Sequence, residues 1–275
     1  MIRLLFTFAT FFCCMVCFSQ RYYFFNDSLV NSKKVLLLNH ISKQTLYTYK
    51  MNDGKIIDST LNFTERYNSR GNITERCLYM TSGTVLVIDS FFYDAGQRLT
   101  RHTAASKRGD FISQTGFVYD DQDNETEMVL KTILNGNIIN YVAKKEYNAK
   151  GQVTEKYESS GRGNKITLAE RYFYNKEGEL EKKTAFDTTG RRTADYLYET
   201  KKRRKLVITQ NANGTGNTIE FFYNKREQCT KIEWHLGKRP ILYHFSYNAD
   251  GTMFEYTTTR NNGQKVIERY YYEKE

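Results

Sequence analysis

The chain has 275 residues, of which 40% are hydrophobic and 15% aromatic, with one proline, Pro240. So little proline excludes a proline-rich stalk, and Tyr, Phe and Thr separated by polar residues favour β-strands. The formal net charge of +10 at pH 7 favours anionic partners outside a cell, such as lipid headgroups, lipopolysaccharide or acidic glycans.

Residues 1–19 have the features of a secretory signal peptide. Arg3 supplies a short positive n-region, a mostly apolar stretch follows, and Cys17 and Ser19 are small residues at the −3 and −1 positions of a cleavage site. The apolar run is short for a membrane-spanning helix, so we predict cleavage and no transmembrane segment in the mature chain. The short n-region is typical of bacteria, and we predict a secreted, periplasmic or outer-surface-associated protein.

Residues 20–48 fit the repeat that follows poorly. The stretch from Lys34 to Asn39 predicts a strand. Because the terminal unit of a repeat array exposes its core, we predict that residues 20–48 form an N-terminal cap and residues 49–275 the repeat domain.

One short phrase recurs along residues 49–275, as in FYNKEG from Phe173 and SYNADG from Ser246. Its tyrosine returns at steps of 24 to 28 residues, a spacing that signals a repeat architecture. The anchor tyrosines are Tyr67, Tyr93, Tyr119, Tyr147, Tyr174, Tyr198, Tyr223, Tyr247 and Tyr272.

Each unit predicts two turns. Asn or Asp after the tyrosine favours a type I turn, and the glycine that closes it, as at Gly178 and Gly251, tolerates positive φ. A second glycine near mid-unit, such as Gly83, makes the return turn. The sequence therefore predicts an all-β, antiparallel β-hairpin repeat of about 8 units of ~25 residues. We expect the units to form an extended, curved or coiled sheet or solenoid of about 16 to 18 strands.

The anchor tyrosine and the residue two before it lie on one face of a strand. That earlier residue is usually aromatic, Lys145 being an exception, and the two columns form a ladder. A stacking platform for sugars or bases is one interpretation, but burial of such large side chains favours a core. The aromatic residues two before the anchors are Phe91, Phe117, Tyr172, Tyr196, Phe221, Phe245 and Tyr270.

The stretches FYDAGQRLTRHTA from Phe92 and FYNKEGELEKKTAF from Phe173 resemble the Tyr-Asp-x-x-Gly-x-Leu unit of YD-repeat, Rhs-type proteins. They resemble MORN-type hairpin repeats less closely. The resemblance covers about residues 49–275, although the units at Tyr198 and Tyr223 lack the turn glycine. In large members of the family the strands form a shell around a toxin, so the resemblance implies a place in a toxin or polymorphic secretion system. We find no counterpart of the toxin or of the family's proteolytic core.

Two cysteines, Cys77 and Cys229, remain after signal cleavage. A disulfide requires Cα atoms within about 7 Å, and the repeat places these residues many strands apart. We predict two unpaired, buried thiols.

Catalytic signatures are absent from the sequence. There is no Gly-x-Ser-x-Gly, His-Glu-x-x-His or Walker glycine loop, and the four histidines lack metal-ligand spacing. We predict no enzyme activity, no cofactor and no metal. The run DDQDNE from Asp120 to Glu125 is partly similar to a calcium loop but lacks its glycine and terminal glutamate, and its place in the repeat predicts a turn.

Five consecutive cations stand where other units carry a turn glycine. They are the candidate anion-binding patch of the chain: Lys201, Lys202, Arg203, Arg204 and Lys205. The alternative interpretation is a solvated turn that discourages edge pairing of the sheet.

These patterns favour an exported, non-enzymatic repeat protein that presents a β-sheet surface for binding at the cell envelope or outside the cell. The predicted partners are an anionic envelope glycan, lipopolysaccharide or another protein. Two alternatives stay open. The first is a component of a toxin or polymorphic secretion system, and the second is an envelope glycan hydrolase.

Overall fold

A computed structural model describes residues 33–52, 55–134, 136–159, 165–236, 239–260 and 262–274, so the predicted signal peptide lies outside the described residues. One helix, α1 (Lys33–Leu38), precedes 18 antiparallel strands. The strands are β1 (Ile41–Asn52), β2 (Lys55–Tyr67), β3 (Ile73–Tyr79), β4 (Val85–Tyr93), β5 (Leu99–Ser106), β6 (Phe111–Tyr119), β7 (Glu125–Leu134), β8 (Asn137–Tyr147), β9 (Val153–Ser159), β10 (Ile166–Tyr174), β11 (Leu180–Phe186), β12 (Arg192–Lys201), β13 (Arg204–Asn211), β14 (Gly216–Tyr223), β15 (Cys229–His235), β16 (Ile241–Tyr247), β17 (Met253–Thr259) and β18 (Lys265–Lys274).

The strands form one closed barrel. Each strand pairs with the next along the chain, and β1 pairs with both β2 and β18. Leu46 of β1 lies opposite Phe63 on one side and Tyr270 on the other. The prediction of an extended, curved or coiled sheet or solenoid is therefore wrong, although the antiparallel hairpins are present. Closure leaves no strand edge unpaired. The repeat phrase specifies only contacts between neighbouring hairpins, so it does not indicate whether the first and last strands pair.

The segment predicted as a cap over residues 20–48 contains the start of the barrel, because β1 begins at Ile41. The strand predicted from Lys34 to Asn39 is wrong: α1 covers most of it, since Lys and Leu are good helix formers. The Asn39 side chain donates hydrogen bonds to the carbonyls of Val35, at 2.9 Å, and Asp250, at 3.2 Å. No helix of the described residues is long and apolar enough to cross a membrane.

Connections alternate between the two ends of the barrel because neighbouring strands are antiparallel. We call the end where the anchor tyrosines lie the tyrosine rim, and the opposite end the far rim. The connections at the tyrosine rim are 68–72, 94–98, 120–124, 148–152, 175–179, 202–203, 224–228 and 248–252. Those at the far rim are 53–54, 80–84, 107–110, 135–136, 160–165, 187–191, 212–215, 236–240 and 260–264.

The five-residue turns at the tyrosine rim share one geometry. Gly178 and Gly251 have φ of 85° and 89°, which confirms the prediction of positive φ. In turns without glycine at that position, Gln97 and Glu227 adopt φ of 66° and 60°. The preceding Asn or Asp maintains the turn, as where Asn175 Oδ1 accepts the Glu179 N–H at 2.8 Å.

We expect Gly178→Val to lower the free energy of unfolding by about 1 kcal/mol or more. A side chain at φ of 85° is strained, and its Cβ would lie 3.1 Å from Gln152 Nε2, the atom that donates to the Gly178 carbonyl. The matched control is Gly116→Val within β6, where φ is not in the left-handed region and nothing lies within 4 Å of the new Cβ. Urea unfolding should separate the two variants. Equal losses would contradict the role assigned to the turn.

Most anchor tyrosines join two neighbouring strands by a hydrogen bond at the tyrosine rim, at the end of the hairpin that has no turn. Pairing of β3 with β4 stops at Ser90, and Tyr93 Oη then donates to the Ile73 carbonyl at 2.8 Å. Burial raises the pKa of Tyr93 to about 12, so the hydroxyl keeps its proton. The same bond is made by Tyr119 to Leu99, Tyr147 to Glu125, Tyr174 to Val153, Tyr247 to Cys229 and Tyr272 to Met253. This need for a donor explains why these units carry tyrosine rather than phenylalanine.

The ladder faces the barrel interior. Phe221 is 5% exposed and packs in one core cluster with Ile219, Ile232 and Phe245, so the buried apolar face is the inner one. The assignment of the ladder to the core is confirmed for Phe221 and Phe245. On β13 to β17 the core cluster comprises Val207, Ile219, Phe221, Cys229, Ile232, Tyr243, Phe245 and Met253.

Both cysteines are unpaired, as predicted. Cys229 is buried, but Cys77 is partly exposed, so the prediction that both thiols are buried is wrong for Cys77. It belongs to the outward face of β3, where its neighbours cover it only from the sides.

Ion pairs occupy the inner face of strands that flank the core cluster on either side. The Arg76 guanidinium lies 2.7 Å from the Glu65 carboxylate, and Lys183 Nζ lies 2.7 Å from Glu170. Burial raises the pKa of Glu170, but the charge and hydrogen bond of Lys183 outweigh burial and hold that pKa below its usual value. Glu65, two residues before Tyr67, is a further exception to the aromatic pattern and is 2% exposed.

Candidate anion-binding site

The cation run forms the end of an elongated hairpin at the tyrosine rim. In the other units, pairing across this rim ends at the anchor tyrosine, as where Tyr174 lies opposite Leu180. In this unit, Tyr198 lies opposite Val207 and pairing continues to Lys201 opposite Arg204. The hairpin therefore extends three residues beyond its tyrosine on the β12 side, about 10 Å at the rise of a strand.

The five cations do not act together. Lys205 is half-buried, with Nζ 5.7 Å from the centroid of the Tyr198 ring. Arg204 forms an ion pair with Glu220 at 2.7 Å, and Lys201 lies 3.7 Å from Glu199. The remaining two, Lys202 and Arg203, are exposed and have no ion pair within the described part of the chain.

The adjacent turn adds two cations to the same place. Tyr223 N–H donates to the Arg203 carbonyl at 2.8 Å, and the exposed Lys225 and Arg226 follow directly. We call Lys202, Arg203, Lys225 and Arg226 the tip cluster. Lys225 and Arg226 are not among the cations predicted from the sequence, although they lie in the turn of the next repeat unit. Like charges held on neighbouring turns create a field that attracts anions.

Two open clefts flank these turns. The smaller, about 380 Å³, includes Glu179, Glu181 and Glu199 in its lining, and three carboxylates disfavour an anion. The larger, about 500 Å³, lies between connections 224–228 and 248–252. Its lining contains Asn224, Lys225, Arg226, Gln228, Thr230, Phe245, Tyr247, Asn248 and Ala249. An anion beside the tip cluster would therefore meet amides, cations and aromatic rings on this side.

The acidic run from Asp120 forms the predicted turn. Asp120 Oδ1 accepts the Gln122 and Asn124 N–H groups, both at 2.9 Å. The side-chain hydrogen bond from Asn124 lowers the pKa of Asp120. Arg98 of the neighbouring turn donates to Asp123 at 2.8 Å. These carboxylates are therefore hydrogen-bonded within their own turn or to the adjacent one. In the described ranges, no group of three or more His, Cys, Asp or Glu side chains is placed to hold a metal ion.

Comparison with known proteins identifies no family. No family model matches the chain, and no curated protein matches it. A porin-like protein from Bacteroides uniformis matches 85% of this chain and 98% of its own, with a TM-score of 0.45 and 13% identity. A porin-like protein from Bacteroides vulgatus matches the same shares, with a TM-score of 0.37 and 9% identity.

A Tc holotoxin pore of Photorhabdus luminescens matches 79% of this chain but 18% of its own, with a TM-score of 0.17 and 14% identity. Similarities this weak carry no argument about function. The resemblance to YD-repeat proteins stays a prediction.

Proposed function

We propose that the chain is an exported, non-enzymatic protein that binds an anionic glycan at the bacterial cell envelope or outside the cell. The observation that carries this proposal is the tip cluster, in which exposed cations lie on two neighbouring turns and two of them, Lys225 and Arg226, line the larger cleft. Acidic polysaccharides present repeated charges that several cations can contact at once. Amide side chains and the partly exposed Tyr247 in the same cleft suit the polar and apolar faces of sugar rings.

The outer wall of the barrel supports a location in water. A wall that faces lipid carries an apolar band about 25 Å tall, and a cation at mid-membrane costs about 2–4 kcal/mol. Here the outward strand positions carry cross-strand ion pairs. They include Lys144 with Glu127 at 3.0 Å, Arg171 with Glu155 at 2.7 Å, Lys182 with Asp195 at 3.1 Å and Arg269 with Glu255 at 2.7 Å. Such pairs interrupt any apolar band.

The larger cleft suits binding better than hydrolysis. Glycoside hydrolysis generally requires two carboxyl groups that face each other across the scissile bond. The described residues that line this cleft include no Asp or Glu. Lys225 and Arg226 give it the opposite charge, which favours retention of an acidic sugar.

We expect the triple variant Lys202→Ser/Arg203→Ser/Lys225→Ser to bind an acidic polysaccharide, such as alginate, about tenfold or more weakly. Wild-type affinity should fall steeply with added salt, because binding to a polyanion releases counterions. Thermal stability should change little, since exposed charges contribute little to folding. Isothermal titration at two salt concentrations measures both effects.

The control is Arg70→Ser/Lys150→Ser/Lys176→Ser, which removes the same charge from exposed positions of the same rim. This variant should retain most of the wild-type affinity. If both variants lose the same affinity, the tip cluster contributes only through the overall charge of the protein and is not a specific site. Absence of wild-type binding at low salt would refute the proposal.

A further inference from the structure

Two hairpins of the far rim are longer than their neighbours. β1 and β2 have 12 and 13 residues, and β7 and β8 have 10 and 11. Their backbones pair up to connections of two residues, with Asn52 opposite Lys55 and Leu134 opposite Asn137. The other connections of this rim span four to six residues. The two long hairpins therefore project furthest from this end of the barrel.

Both projecting hairpins expose isoleucine. Ile57 is 63% exposed and Ile138 is 59% exposed, and Ile56 and Ile133 are also exposed. Ile133 lies directly opposite Ile138, so the two form one outward apolar surface. Exposed apolar residues of the same rim on other hairpins are Met80, Phe111, Ile166 and Leu236. Burying these side chains would be favourable, yet they lie beyond the barrel core.

The described residues of the far rim carry an excess of positive charge. Counting each connection and the first residue of the strand that follows it, the described residues include nine cations and two acids. The same count at the tyrosine rim gives nine cations and nine acids. The far-rim cations, all exposed, are Lys55, Lys107, Arg108, Lys165, Arg191, Arg192, Arg239, Arg260 and Lys265. Within the described part of the chain, Arg192 alone of these has an ion pair, with Asp195.

The two acids among the described far-rim residues offset only part of this charge. Asp110 accepts a hydrogen bond from Ser106 Oγ at 2.8 Å. Asp187 accepts the N–H groups of Thr189 and Arg191, at 2.8 and 3.0 Å. Each carboxylate is thus held inside its own turn, and the cations point to solvent around the isoleucines.

We propose that the far rim docks on a bilayer surface rich in anionic phospholipid. The isoleucines of the projecting hairpins enter the apolar layer, and the surrounding cations contact lipid phosphates. Exposed apolar side chains within a basic ring form a combination that binds anionic membrane surfaces without spanning the bilayer. The charged outer wall stays above the headgroups, and the tip cluster at the opposite end faces away from the membrane.

A continuous surface fits this rim better than a second copy does. The projecting hairpins are six strands apart around the barrel, about 29 Å along the wall at the usual strand spacing, so one flat partner can reach both. Two far rims placed face to face would bring their excess cations together, which is unfavourable. Anionic lipid provides both the apolar layer and the opposite charge.

Vesicle co-sedimentation of the purified exported chain tests this proposal. Wild-type protein should bind vesicles made of equal parts phosphatidylcholine and phosphatidylglycerol, and should bind vesicles of phosphatidylcholine alone only weakly. Added salt should release the protein from the anionic vesicles. We expect Ile57→Ser/Ile138→Ser to weaken binding about tenfold or more. Lys107→Ser/Arg108→Ser/Arg191→Ser should weaken binding and flatten its salt dependence.

The control Val118→Ser/Phe173→Ser changes two exposed apolar residues of the outer wall near the tyrosine rim and should bind vesicles like the wild type. The tip-cluster variant should also bind normally, so a failure of glycan binding and a failure of membrane docking can be told apart. No wild-type binding at low salt, or unchanged binding of the isoleucine variant, would overturn the proposal. So would a wild-type dimer that the isoleucine substitutions dissociate, since this would assign the rim to a second copy.

Discussion

Replacing Phe221 by alanine is expected to lower the free energy of unfolding by about 3–5 kcal/mol. Phe221 is 5% exposed and lies opposite Ile232 on the inner face of the barrel, so truncation leaves a cavity within the core cluster. Urea unfolding followed by circular dichroism measures the loss. Binding of the acidic polysaccharide should fall only through the unfolded fraction, because Phe221 does not line the larger cleft.

The control for this prediction is Phe173→Ala, since Phe173 is an outward aromatic residue of the same repeat and 42% exposed. Its loss should be about 1 kcal/mol or less, because little apolar area returns to water. Similar losses for the two variants would contradict the assignment of one strand face to the core.

Replacing Arg76 by methionine is expected to cost about 3–5 kcal/mol, because it leaves the Glu65 carboxylate buried without its cation. The Arg76 and Glu65 side chains are 18% and 3% exposed, with 2.7 Å between guanidinium and carboxylate. The double variant Arg76→Met/Glu65→Gln should be less destabilised than Arg76→Met alone, since no charge is then stranded. Denaturant unfolding of the three proteins provides the comparison.

An outward ion pair of equal length serves as the control. Arg171 lies 2.7 Å from Glu155, but their side chains are 45% and 21% exposed. Arg171→Met should cost about 1 kcal/mol or less, because solvent screens the pair and hydrates the remaining carboxylate. If the inner and outer substitutions cost the same, the interior around Glu65 is open to water.

The hairpin unit could be predicted because its causes are local. Asn175 and Gly178 form a turn whose hydrogen bonds lie within five residues, and the alternation around Tyr174 assigns each side chain to a face. The one-period spacing of the tyrosines follows from a similar requirement, a hydroxyl that reaches a carbonyl of the adjacent strand. Such short-range contacts leave a pattern that sequence analysis can recognise.

The candidate site could be predicted in part. The run at Lys202 and Arg203 departs visibly from the repeat, but the register of β12 with β13 decides that Lys205 turns inward against Tyr198. Lys225 and Arg226 join the site through a backbone hydrogen bond between neighbouring hairpins. Pairing between strands, rather than the identity of a residue, selects which cations share a surface.

The all-β class, the two-stranded unit, the positive φ of the turn glycines and the strand face that becomes the core all follow from local patterns in the sequence. The tertiary structure alone decided that the sheet closes, because β1 lacks the repeat phrase and pairs with a strand more than 200 residues away. Closure depends on the strand number, twist and register of the whole sheet taken together. A pattern within one repeat unit does not predict that combined result. Antiparallel pairing places alternate connections at the same end, and closure then brings the connections of each end into one ring, so the excess cations of the far rim surround one opening.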